Sequence, residues 1–113
     1  MTTDIEYRKG VLYIRIKGLL VGKRVREFEE EVIPIALGMN AKYITVNMSS
    51  VDMLDNKGIE SLIKLSSIAN NNQGKLVICE INELIKQKVF NSDVFDYCYK
   101  TRSEHSSLGV FSV

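Results

Sequence analysis

The four residues Asp55-Asn56-Lys57-Gly58 are where residue type and spacing in this 113-residue chain point most directly to chemistry. They follow the short β-branched run Tyr43 to Met48 and precede Ile59, Leu62, Ile63, Ser66 and Ala69, which recur at helical spacing. The pattern predicts a buried strand, a short polar turn and then a helix that opens at this quartet. Asp55 can cap the helix, Asn56 and Lys57 can point outward from its first turn, and Gly58 permits close approach of another backbone. A helix start carries free N–H groups at the positive end of a dipole. The quartet therefore suits an anion site, a recognition surface or a well-capped turn, and local sequence leaves all three open.

No other set of residues assembles a reaction centre. The one histidine, His105, lies among Ser103, Ser106 and Ser107 near the C-terminus, and adjacency in sequence does not supply the nucleophile, base and orienting acid of a triad. The seven glycines are scattered as turn and cap residues, so no phosphate loop or nucleotide fingerprint is present. Glu29, Glu30 and Glu31 are consecutive and would point in different directions around a helix. Asp52 and Asp55 could share a turn, but two acids without a third oxygen donor make a poor cation site. Cys79 and Cys98 have neither redox nor zinc spacing, and buried reduced thiols inside strands are expected. No catalytic residue, metal or cofactor is expected.

The elements that must hold the quartet follow from periodicity. Asp4 to Lys9 and Val11 to Lys17 read as a hairpin, with Leu12, Ile14 and Ile16 alternating against Tyr13, Arg15 and Lys17, and with Gly18 as the end. The charged face of the second strand fits a sheet covered on one side or a position near an edge. Val25, Phe28, Val32, Ile33, Ala36 and Leu37 mark an amphipathic helix with Glu29 out of pattern. Lys23, Arg24, Arg26, Glu27, Glu30 and Glu31 form its solvated face, with some pairing one turn apart. Pro34 lacks an N–H and should kink or end that helix near Ile33.

Lys42 to Met48 is the next strand. The helix after the quartet should stop at Asn70-Asn-Asn-Gln-Gly74, and Lys75 to Glu80 has the continuous apolar pattern of a central strand. Asn82 can cap a short helix with Leu84, Ile85, Lys88 and Val89 inward. Val94 to Lys100 reads as a last strand with Phe95, Tyr97 and Tyr99 on one face, and Thr101-Arg-Ser-Glu104 as a capping box opening a final helix. The order β-β-α-β-α-β-α-β-α requires right-handed crossovers and parallel neighbours, which gives an α/β fold with a mixed sheet of about five strands and about four helices.

Length suits one domain, residues 1–113. Fifteen basic residues against fourteen acidic ones leave a net charge of +1, so no global field draws the chain to nucleic acid or an anionic membrane. No apolar run approaches the ~20 residues of a spanning helix and no targeting segment is evident, so a soluble, cytoplasmic chain is expected.

In the order and spacing of these steps the chain resembles the STAS family, in particular the small anti-sigma factor antagonists of bacterial sporulation and stress control. The resemblance rests on Val11 to Gly18, Tyr43 to Met48, Asp55-Asn-Lys-Gly58, Gln73 to Cys79, and the ending from Ser103 and Glu104 to Leu108-Gly109. It implies a STAS-like sheet and a switch protein that catalyses nothing. In such relatives the serine after the motif aspartate is phosphorylated by an anti-sigma factor that is also a serine kinase, and phosphate at the helix entrance blocks binding.

By the same alignment Asp55 and Gly58 match the motif, while Asn56 stands at the acceptor position and Lys57 follows it. Asparagine has no hydroxyl to phosphorylate. The region Leu20-Val21-Gly22-Lys23 also lacks the acidic residue often found beside the phosphosite. The expected partner-binding residues are Val21, Gly22, Lys23, Asp55, Asn56, Lys57, Gly58 and Glu60, with an anti-sigma factor or related serine kinase as partner and a monomer or weak dimer as the state. The first expectation is a binding module in partner switching and transcription regulation that is not phosphorylated at Asn56. The second is a STAS scaffold or sensor regulated by ligand, oligomerisation or another hydroxyl such as Ser49, Ser50 or Ser61. An enzyme using Asp55 and Lys57 comes last.

Overall fold

The structure, a computed structural model, describes residues 2–112. The elements run β1 (Thr2–Arg8), β2 (Val11–Leu20), α1 (Lys23–Gly38), β3 (Tyr43–Leu54), α2 (Asn56–Asn71), β4 (Lys75–Cys79), α3 (Lys86–Phe90), a 3-10 turn (Val94–Asp96), β5 (Tyr99–Thr101) and α4 (Glu104–Phe111). The sheet order is β1-β2-β3-β4-β5, with β1 antiparallel to β2 and every other pair parallel. This is the expected α/β order and mixed sheet.

Alternation along the strands divides the molecule into two apolar layers. Leu12, Ile14, Ile16, Ile44, Val46, Met48, Leu76 and Ile78 face Phe28 and Val32 of α1 and Leu62 and Leu65 of α2. Val11, Tyr13 and Val77 face the other way, onto Phe111 of α4. Each fully buried aliphatic or aromatic side chain contributes about 1.5–3 kcal/mol. β2 is therefore covered on both faces, not on one, and lies one strand in from the edge formed by β1. Its charged face is roofed by α4, which the strand pattern alone does not reveal.

Two strands outrun their expected ends. Gly18, at φ 98°, bends β2 without ending it, and register shifts on either side let β2 continue to Leu20. β3 runs on through Ser49 to Leu54 because Lys17, Gly18, Leu19 and Leu20 pair with Ser50, Val51, Met53 and Leu54. Pairing, not β-propensity, makes this polar stretch a strand. β4 accompanies β3 only as far as Asn47, opposite Cys79. Beyond that point the Asn82 amide donates to the carbonyls of Met48 at 3.2 Å, Ser49 at 3.1 Å and Val51 at 2.7 Å.

Four further expectations are corrected. α1 does not end near Ile33 but continues through Pro34 to Gly38, because Val25, Phe28, Val32 and Ala36 stay buried along one face while Pro34 and Glu30, whose carbonyl loses its donor, are exposed. Asn82 caps only a turn, accepting from the Leu84 N–H at 2.8 Å; α3 begins at Lys86, Leu84 is 73% exposed and Lys88 is exposed, so only Ile85 and Val89 point inward. The segment after Val94 is first a 3-10 turn, with the Cys98 N–H bonded to the Val94 carbonyl at 3.0 Å, and only Tyr99–Thr101 is strand. Cys98 thus lies in a turn, whereas Cys79 ends β4 as expected. The capping box sits two residues later than expected, with Ser103 as cap and Ser106 as its partner.

Proline inside a helix removes a backbone hydrogen bond. Replacing the exposed Pro34 by alanine should therefore stabilise the chain by about 1–3 kcal/mol, read as a higher midpoint in urea unfolding. A lower midpoint would show that the ring contributes packing or entropy that outweighs the lost bond.

Candidate functional site

Asp55 caps α2 as expected, and its carboxylate does more than cap. One oxygen accepts from the Gly58 N–H at 2.9 Å and the other from the Gly22 N–H at 2.9 Å. A single side chain thus joins the entrance of α2 to the loop that opens α1. Burial opposes ionisation of this carboxyl, but the Gly22, Gly58 and Lys57 N–H groups and the charge of Lys57 outweigh it and hold the carboxyl below its usual range. Gly58 is required by space: a Cβ there would lie 2.5 Å from the Leu20 carbonyl oxygen and 2.6 Å from Leu54 Cδ1. α2 packs its first turn directly onto the end of β2.

Around this hinge point the structure sorts the expected site residues. Gly22, Lys23, Lys57 and Glu60 line one open groove of about 590 Å³ between the first turns of α1 and α2, together with Arg26 and Glu30. Val21 is half-buried just before it, while Asp55 and Gly58 lie beneath as its supports. Glu29, which breaks the apolar pattern of α1, crosses to Lys64 of α2 at 3.2 Å and braces the groove floor. Asn56 is exposed and turned toward α3, where the Lys88 ammonium donates to its side-chain oxygen at 2.6 Å. Among the hydroxyls considered as alternative acceptors, Ser61 is fully buried whereas Ser49 and Ser50 are exposed.

Sequence reading missed the polar layer on the α4 face. Arg15 meets Asp4 at 3.0 Å, Glu6 at 2.9 Å and Glu104 at 2.7 Å. The Asn47 amide donates to Glu80 and Glu104, each at 2.9 Å. The bonds that Arg15 donates to Glu104, and then to Glu6 and Asp4, overcome burial and raise its pKa, and Arg15 in turn holds Glu104 below its usual range. The alternation of Asp4 and Glu6 opposite Arg15 in the hairpin was the available signal; the third acid comes from 89 residues away. Nearby, Thr45 Oγ1 and Ser107 Oγ share a buried bond of 3.0 Å. These groups fasten α4 to the sheet.

Cys79 and Cys98 are free, buried thiols, each pushed up to about 12 chiefly by burial. His105 is exposed, and Ser103 and Ser106 bond each other in the capping box. Among the described residues no group of three metal-ligating side chains occurs, and no helix is long and apolar enough to cross a membrane.

The Asp55 carboxylate predicts a stability effect with a defined sign. A folded pKa held below the ordinary value of 3.8 contributes stability that is fully present above that value and is lost as pH falls through the lower, folded one. Asp55→Ala should cost about 2–3 kcal/mol in urea unfolding at neutral pH, from one lost cap and one lost charge-assisted bond. Asp55→Asn should cost less and should flatten the loss of stability below about pH 4. An unchanged acid profile in the asparagine variant would remove Asp55 as the source.

A family model describing the STAS domain matches residues 2–107. Solved structures share the fold at low identity. An anti-sigma factor antagonist from Mycobacterium paratuberculosis superposes with a TM-score of 0.86 at 13% identity, covering 99% of this chain and 94% of that one. The Bacillus cell fate determinant SpoIIAA, in its phosphorylated form, gives 0.69 at 14% identity over 96% and 98% of the two chains. The murine Solute Carrier 26 family member A9 anion transporter gives 0.77 at 19% identity, covering 95% of this chain but 18% of the transporter. The match of the family model over nearly the whole length establishes that the chain belongs to the STAS domain family.

Proposed function

We propose that the chain is a non-enzymatic regulatory binding module of the anti-sigma factor antagonist type. Its partner is a kinase-type anti-sigma factor or a related serine kinase, met at the entrance of α2. The observation that carries this reading is the placement of Asn56 and Lys57. Both are exposed on the first turn of α2, above an aspartate that fixes that turn to the neighbouring loop. Such a surface is rigid at its base and exposed at its top, which suits recognition at low ordering cost. Gly22, Lys23 and Glu60 extend it across the groove, and Val21 flanks it.

An amide stands at the acceptor position that the STAS antagonist motif assigns to serine. Asn56 carries no hydroxyl and its oxygen is engaged by Lys88, so phosphate cannot be placed there. The module is accordingly held in a binding-competent form, and its release is controlled elsewhere. Like the antagonists it resembles, it acts in partner switching and transcription regulation in the cytoplasm, as a monomer or weak dimer within a single domain.

The test combines capture and mass. Binding to a kinase-type anti-sigma factor should weaken by about tenfold or more in Lys57→Glu and in Asn56→Asp, each of which adds negative charge at the entrance. Incubation with the kinase and ATP should leave the intact mass of the native chain unchanged and add phosphate to Asn56→Ser. Phosphate on the native chain, or binding indifferent to both charge changes, would overturn the reading.

A further inference from the structure

A second concavity lies on the other side of α3, where β4 and β5 end side by side. It has a volume of about 370 Å³ and is lined by Glu80, Ile81, Lys86, Phe90, Lys100 and Arg102. The crevice lies outside the carboxyl ends of β4 and β5, in a sheet whose strand order runs β1-β2-β3-β4-β5 without reversal, so it is defined by its lining and not by a switch point in the topology. The volume falls at the lower end of the range of small-molecule sites.

The lining combines charge and an apolar wall. Lys86, Lys100 and Arg102 supply three cations, in a chain whose net charge is only +1. The single carboxylate, Glu80, is drawn toward the sheet, where it accepts from the Asn47 amide at 2.9 Å. Lys86 has only a loose partner, Glu83 at 3.6 Å on an exposed side chain, and no salt bridge among the described residues involves Arg102. The Lys100 ammonium sits 5.0 Å from the centre of the Phe90 ring. Phe90 is 43% exposed and packs against Phe95 at 5.6 Å between ring centres, so one face is backed while part of the ring remains open. Glu80 holds a φ of 55°, uncommon for a residue with a side chain, and its N–H is bonded to the Arg102 carbonyl at 3.2 Å. This strained residue fixes the two strand ends against each other, as strained backbone often does at ligand sites.

We infer that this crevice binds a small organic phosphate whose phosphoryl group is held by Arg102, Lys100 and Lys86 and whose flat ring lies against Phe90 and Ile81. A phosphate monoester carries about two negative charges at neutral pH and three accepting oxygens. It therefore uses a guanidinium and two ammonium groups more fully than a monocarboxylate would. The aromatic wall favours a ring beside that phosphate over inorganic phosphate alone. The site is separate from the entrance of α2 and does not depend on a partner being bound there.

The experiment is a titration of the isotopically labelled chain with phenyl phosphate, inorganic phosphate and phenol at constant ionic strength, followed by amide NMR. Phenyl phosphate should give saturable shifts at Ile81, Lys86 and Thr101, and should bind about tenfold more tightly than inorganic phosphate or phenol. Arg102→Gln and Lys100→Gln should each weaken it by about tenfold. Phe90→Ala should bring phenyl phosphate and inorganic phosphate to within about twofold of each other. All three replaced side chains are exposed, and the spectra themselves report whether each variant is folded. Shifts that fail to saturate, equal affinity for the three probes, or affinities unchanged in the charge variants would overturn the inference.

Discussion

The carboxylate of Asp55 is the point on which the paired helix entrances of this molecule depend. A strand that reaches Leu54 and a strand that reaches Leu20 end side by side, and each leads into a helix. Two helix starts so close together present several unpaired N–H groups pointing the same way. One carboxylate satisfies a donor from each, at Gly22 and Gly58. Its charge is held by those bonds, and the bonds are held by the charge. The absence of a side chain at Gly58 then lets α2 sit against the Leu20 carbonyl. Position, cap and close approach are therefore one constraint seen from three residues.

What rises above that constraint is exposed and polar. Asn56 and Lys57 have no packing role in the core, and neither is needed to keep α2 in place. The division suits the proposed recognition surface, since geometry is fixed below by Asp55 and Gly58 while the groups above them take no part in that packing. The brace between Glu29 and Lys64 and the contact of Lys88 with Asn56 hold the flanks of the same surface.

The sequence carried the layers better than the limits of the strands. β4 and α2 were legible because every signal in them agrees: the continuous apolar run of Leu76 to Cys79, and the helical spacing of Ile59, Leu62, Ile63, Ser66 and Ala69 between an aspartate cap and an asparagine stop. The end of β3 was not, since Ser49 to Leu54 becomes a strand only through pairing with a neighbour more than thirty residues away. The alternation of Phe95, Tyr97 and Tyr99 misled for the opposite reason, because the buried positions there are Val94 and Cys98, a helical spacing. Within the site, Asp55 as cap and Gly58 as a packing residue could be read locally. The second bond of Asp55 to Gly22, the reach of Lys88 to Asn56 and the assembly of three acids on Arg15 join distant parts of the chain, which no local pattern encodes.

The distal half of β3 has a neighbour on one side only, since β4 stops opposite Asn47. Such a bare edge is a template on which a foreign strand can grow. Here the Asn82 amide, with its two hydrogens shared among three carbonyls, takes the place of a strand's worth of donors. One side chain thus acts as a surrogate neighbour, closing an otherwise adhesive margin beside the entrance of α2.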